Sequence, residues 1–169
     1  MDILIRNGWL ADGTGNPLYP ADVMIEDDRI VAVERLHDAQ SARIIDANGK
    51  IVCPGFIDSH SHSDWTIHTN PKMQSTVRQG VTTEIIGNCG FSMAPLSAFS
   101  RKRYEGMLKD FAYEGSVPWT SFGEYLDTVA QMKTSANLAW FVGHSTIRAA
   151  VGIATQSNEV TADQMQTME

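Results

Sequence analysis

The sequence predicts an α/β protein in which a small antiparallel β-structure precedes parallel β/α units. Before Gly55 the chain holds short strand-length runs separated by turn formers, and after it apolar strand runs alternate with helical patterns. A third observation is "NLAWFVGHS", a nearly continuous apolar run of the kind found in a parallel strand covered on both faces. The predicted division is therefore 1–54 and 55–169.

Each element has its own signal. "DILIRNGWL" alternates in part and gives a first strand, closed by the turn formers of "DGTGNP". "ADVMIEDDRIVAVERL" gives two strands around Asp27-Asp28, and "ARIIDANGKIVCPG" two more around Asn48-Gly49, all read as meandering hairpins. Cys53 falls inside a strand of this sheet, which places it in the core. Further on, "PGFIDSHSH" is a strand, "PKMQSTVRQG" a short helix ending at Gly80, and "VTTEIIGNCG" the next strand. Ser121 with Glu124 three residues later forms a capping box for the helix in "WTSFGEYLDTVAQMK". "NLAWFVGHS" follows as the third parallel strand, and "TADQMQTME" opens the helix after it. The long stretch "FSMAPLSAFSRKRYEGMLKDFAYEGSVP" reads as a functional loop with local helix. Its Arg101, Lys102 and Arg103 either meet an anionic substrate or, more plainly, form a solvated basic face.

Composition narrows the function. With 43% hydrophobic and 20% charged residues, the 169-residue chain is globular and long enough to bury a core. A formal net charge of −7 argues against nucleic acid or an anionic membrane as partner, and for small-molecule chemistry. No apolar run reaches membrane-span length and "MDILIRNGWLADG" lacks the features of a secretory signal, so a cytoplasmic protein is expected. Two cysteines, Cys53 and Cys89, do not make a disulfide framework. "DGTGNPL" lies among hairpins with no helix after it, which speaks against a dinucleotide-dependent oxidoreductase.

The candidate site begins at "PGFIDSHSHSD". In a strand, residues i and i+2 share a face, so Asp58, His60, His62 and Asp64 are in phase while Ser59, Ser61 and Ser63 point the other way. Two imidazoles so spaced converge on one divalent ion, with the carboxylates as acceptors that fix the ring tautomers. A bare HxH also occurs where a strand simply runs out into solvent. Cys89 ends the second parallel strand and His144 the third, and in parallel sheets functional groups collect at those ends. A buried apolar-like cysteine and a satisfied core histidine are the plainer readings of these two. Asp58, Asp64, Asn88 and His144 are the candidates for lining the site, whereas His37 and His68 are expected at surface or loop positions.

"VCPGFIDSHSHSD", after a small β-domain, resembles the amidohydrolase superfamily, whose members join a β-sandwich to a (β/α)8 (TIM) barrel and carry HxH on the first barrel strand. The finer resemblance is to its D-aminoacylase and N-acyl-D-amino-acid deacylase branch, in "EIIGNCGFSMAP", "WTSFGEYL" and "FVGHSTIRAAVG". It implies Zn2+ as cofactor, with Cys89 at the tight metal position and His60 and His62 at the weaker one. It implies hydrolysis of the amide bond of a small N-acylated D-amino acid. It also implies that the chain is an N-terminal fragment. Residues 1–54 are then part of the sandwich, and 55–169 roughly the first three β/α units of an incomplete barrel. The family's catalytic aspartate and two later histidines have no counterpart, so the catalytic residue lies beyond residue 169, and Asp64 is assigned to orientation or solvent contact. The missing C-terminal part, or another chain covering the open barrel, is the expected partner. The alternatives are a cyclic-amide hydrolase of the hydantoinase or dihydroorotase type, against which GNCG counts, and a non-catalytic product.

Overall fold

The computed structural model describes residues 2–154 and 157–168. The chain divides into two compact units, residues 1–54 and 55–169. In the first, β1 (Ile3–Leu10), β2 (Tyr19–Glu26), β3 (Arg29–Glu34), β4 (Arg43–Asp46) and β5 (Ile51–Val52) form one sheet in the order β3-β2-β1-β4, with β5 also paired to β1. The β1–β2 and β2–β3 pairs are antiparallel, as the turn signals predict. The strands flanking Asn48-Gly49 are not a hairpin. Both run parallel to β1, β4 along Ile3–Arg6 and β5 along Trp9–Leu10, so the sheet is mixed rather than antiparallel.

The reason is a break in β1. Asn7 is left-handed (φ 63°) and the register shifts between Ile5 and Gly8, which splits the strand into two edges that β4 and β5 occupy in turn. Gly8 is required there, since a Cβ would lie 2.5 Å from Val52 Cγ2. The break is held by the buried Asp22 carboxylate, which accepts N–H bonds from Asn7 and Leu36 at 2.9 Å each. Burial raises its pKa, but the Leu36 and Asn7 bonds, with the Arg35 and Arg6 charges, together hold the group below the usual carboxylate value. The small core comprises Leu10, Ala21 and Val23, with Ile5, Ile25 and Val52 against them. Cys53 is not in that core: β5 ends at Val52, and the cysteine beyond it is exposed.

In the second unit β6 (Phe56–Asp58), β7 (Val81–Ile86) and β8 (Asn137–Trp140) form a parallel sheet in the order β6-β7-β8. Helices α1 (Gln74–Val77), α2 (Arg101–Asp110) and α3 (Phe122–Ala130) lie between the strands in sequence, and α4 (His144–Ala150) and α5 (Ala162–Met168) follow β8. The helix directly after the third strand is thus α4; "TADQMQTME" supplies a second one, started where Thr161 Oγ1 accepts the Gln164 N–H. The predicted capping box of α3 is present: Ser121 Oγ accepts the Glu124 N–H at 3.2 Å, and Glu124 Oε2 accepts the Ser121 N–H at 2.9 Å.

The long connection carries α2 and much of the core rather than a bare loop. Met93, Leu96, Tyr104, Leu108 and Trp119 pack with Trp65, Ile67, Tyr125 and Val129. Arg101 fastens this layer, donating to Val117 O, Trp119 O and Thr120 Oγ1 at 2.7–2.9 Å, so it is neither a solvated charge nor a free substrate contact. The sheet has two outer strands, and its apolar residues remain in solvent. Ile57 on β6 is 65% exposed and Phe141 after β8 is 54% exposed, contrary to the expectation that "NLAWFVGHS" is covered on both faces. Among the described residues no helix is long and apolar enough to cross a membrane.

Candidate metal centre

The strand bearing the HxH pair is shorter than its sequence suggests. β6 ends at Asp58, whose Oδ1 accepts the His60 N–H at 3.1 Å, an Asx turn that lifts the chain out of the ladder. His60 and His62 therefore occupy a turn, and Ser63–Trp65 wind into a single 3-10 turn. The second strand also gives way to a sharp bend, with Gly87, Cys89 and Gly90 all at positive φ (82°, 55° and 79°). A Cβ on Gly87 would fall 2.0 Å from Phe141 O, so only glycine lets this bend nest against the exit of β8.

The two turns bring the donors together. His60 Nε2 lies 3.2 Å from Cys89 Sγ, and one donor atom from each of His60, His62 and Cys89 falls within 4.8 Å of the others. The two imidazoles meet edge to face with centroids 5.6 Å apart. A tetrahedral zinc with bonds of about 2.3 Å to sulfur and 2.0 Å to nitrogen separates such donors by roughly 3.5 Å. The observed spacing fits one ion, and a mixed thiolate–imidazole set suits zinc. All three side chains are exposed, which leaves a side open to a further ligand.

The other candidates are not members of this donor group. Asp58 is engaged with its own turn. Asp64 is not in solvent: it is 1% exposed within the 3-10 turn, and burial pushes its carboxyl up to about 7, with the nearby Glu84 charge adding to the rise. The strand-phase argument fails for it because the strand has already ended. Asn88 bonds through Nδ2 to Ser61 O at 3.1 Å and Ile85 O at 2.7 Å. His144 opens α4 as an exposed residue outside the donor group. His37 is exposed, as expected, but His68 is not a free loop residue. Its ring stacks on Trp119 at 4.9 Å and meets Tyr113 edge-on at 5.3 Å, and burial lowers its pKa to about 4.

Several residues around the donors escaped sequence reasoning. Glu84 is fully buried in β7 and accepts the Ser61 hydroxyl at 2.7 Å; its signal was a lone carboxylate inside "VTTEII". On the other side of the bend, Thr146 Oγ1 accepts the Ser92 N–H at 2.8 Å and bonds the Tyr104 hydroxyl at 2.7 Å. Ser145 N–H donates to Gly90 O at 2.8 Å. The Cys89 bend is thereby fixed to the start of α4.

Parallel β/α units whose strand ends gather two histidines and a cysteine are suited to holding a metal, and the chain belongs to the amidohydrolase family, which it matches over residues 43–168. Within that family its likeness is to the D-aminoacylase branch. It is 40% identical over 150 residues to a D-aminoacylase of Alcaligenes xylosoxydans xylosoxydans, covering 89% of this chain and 30% of that protein. A crystal structure of N-acyl-D-glutamate deacylase from Bordetella bronchiseptica, in complex with zinc and a phosphonate mimic of the tetrahedral intermediate, matches with a TM-score of 0.83. That match is 34% identical and covers 99% of this chain and 34% of the deacylase. A D-aminoacylase crystal structure matches at 39% identity with a TM-score of 0.84, over 98% of this chain and 34% of the other. The chain thus spans well under half the length of each of these relatives.

Proposed function

We propose that this chain is the N-terminal part of a zinc-dependent enzyme that hydrolyses the amide bond of N-acyl-D-amino acids. The observation that carries this reading is the convergence of His60, His62 and Cys89 at the ends of two adjacent parallel strands. The relatives' names supply the substrate class, small N-acylated D-amino acids. On this reading residues 1–54 contribute to a small β-sandwich, and residues 55–169 are the first three β/α units of a (β/α)8 barrel. Two free cysteines fit a cytoplasmic setting.

His60, His62 and Cys89 would hold the metal, with the thiolate as the tight donor. When bound, zinc supplies Lewis acidity towards the acyl carbonyl and lowers the pKa of water. The chain's own part is to present the donors in the right protonation state. Cys89 Sγ releases its thiol proton on ligation, and the imidazoles ligate only when neutral, so affinity rises with pH. Asp58 keeps His60 out of the strand by accepting its N–H. Asp64 is too deeply buried to pass a proton to substrate.

Metal analysis tests the reading directly. About one zinc per chain is expected for the wild type, with loss in Cys89→Ser and weakened retention in His60→Ala. The longest polypeptide carrying this sequence in its native source should hydrolyse N-acyl-D-amino acids in preference to the L forms. Turnover that survives Cys89→Ser with no zinc present overturns the proposal.

A further inference from the structure

Ser61, the residue between the two histidines, is tied through its N–H, its carbonyl and its hydroxyl to the neighbouring strand and bend. Its N–H donates to Ile85 O at 3.0 Å, its carbonyl accepts from Asn88 Nδ2 at 3.1 Å, and its hydroxyl donates to Glu84 Oε2 at 2.7 Å. All three partners lie on β7 or on the bend that leads from it to Cys89. The Ser61 hydroxyl also lies 3.0 Å from Ser63 Oγ, which extends the anchoring into the 3-10 turn.

The two side-chain partners, Glu84 and Asn88, converge on Ser61 from the adjacent strand and its bend. A fully buried carboxylate is expensive, and a well-packed apolar residue commonly serves stability as well or better. Glu84 is 0% exposed, its Oε2 meets Ser61, and its Oε1 has no hydrogen-bond partner among the described residues. Asn88 directly precedes Cys89, and its single Nδ2 joins the carbonyls of Ser61 and Ile85. That one amide nitrogen ties the histidine-bearing segment to the cysteine-bearing one.

We propose that Glu84 and Asn88 are positioning residues that act through Ser61 to set the separation of His60 from Cys89. The inference rests on the zinc reading above and deepens it, because it names what orients the donors. Outer partners of metal ligands characteristically change affinity by about 10–100-fold when removed. The same size of effect is expected here without any change in the ligands themselves.

The test is a titration of the purified chain with Co2+ alone, read by the thiolate-to-cobalt charge-transfer band, beside thermal unfolding of each metal-free variant. Asn88→Ala and Ser61→Ala should weaken Co2+ binding about 10–100-fold and alter the band, while metal-free unfolding falls much less. Ser61→Thr keeps the hydroxyl and Glu84→Gln keeps an acceptor oxygen, so both should stay within a few-fold of wild type, on the order of 1 kcal/mol. Wild-type affinity in both Asn88→Ala and Ser61→Ala overturns the positioning role and leaves the zinc reading standing. Affinity losses that merely track losses of metal-free stability overturn it too, because they mark a structural role. A wild-type chain with no Cys89-dependent band overturns both readings. If Ser61→Ala does not fold, Asn88→Ala, in the bend outside the strands, decides the matter.

Discussion

At Cys89 the backbone and the thiol have different preferences. A left-handed φ of 55° disfavours any residue with a Cβ by roughly 1–2 kcal/mol, an amount offset in part by the greater freedom glycine has when unfolded. Cys89→Gly is therefore expected to leave metal-free thermal unfolding unchanged or slightly raised while zinc stoichiometry drops, as measured by calorimetry and metal analysis. His68 gives a pH prediction. Its folded pKa of about 4 lies below the ordinary 6.5, so the unfolded chain takes up the proton first as pH falls. The stability held above pH 6.5 is lost between there and about pH 4, by on the order of 2 kcal/mol after allowance for residual solvent contact. Asp64, with its raised pKa, works in the opposite sense over an overlapping range. The check is thus the difference in denaturant stability between wild type and His68→Gln across pH, which should shift against the wild type on acidification. The sequence made His60, His62 and Cys89 legible because ligand type, spacing and strand-end position all agree. It hid the environments of Asp64 and His68 because the strand ends at Asp58 and the chain winds into a 3-10 turn that buries Asp64 and Trp65.

Among elements, α3 was the most legible helix because its start is written locally in Ser121 and Glu124. Ser121→Ala is expected to cost about 1 kcal/mol in thermal or denaturant unfolding. The parallel order β6-β7-β8 followed from alternation of strand and helix signals. The placement of β4 and β5 did not, since it depends on the break at Asn7, more than thirty residues before those strands begin. Helix α2 was half hidden: Tyr104 and Leu108 are its only buried positions, too few to print a strong period on a charged segment. Its value lies in what it fastens. Thr146→Val removes the hydroxyl shared by Ser92 N–H and Tyr104 OH, and is expected to cost roughly 1–3 kcal/mol in equilibrium unfolding. Lys102→Ala, on the exposed face beside the fastened Arg101, should change stability by less than about 0.5 kcal/mol.

At the scale of the molecule, each unit shows apolar side chains on strands. Ile30, Val33 and Ile51 are exposed in the first, and Phe56 and Ile57 in the second. Exposed apolar strands recruit partners, whereas a net charge of −7 opposes close approach of copies. Apolar-dye fluorescence should be high for the folded chain, and sedimentation should show association that grows with salt. Ile57→Lys is expected to lower both signals. Across a lineage of such chains, drift at position 89 from cysteine to glycine meets no opposition from folding. One base change turns a cysteine codon into a glycine codon, and the backbone there already has the shape glycine takes most easily. Only use of the thiol retains the cysteine, so glycine at this position in a relative marks a chain that has given up the donor while keeping its shape.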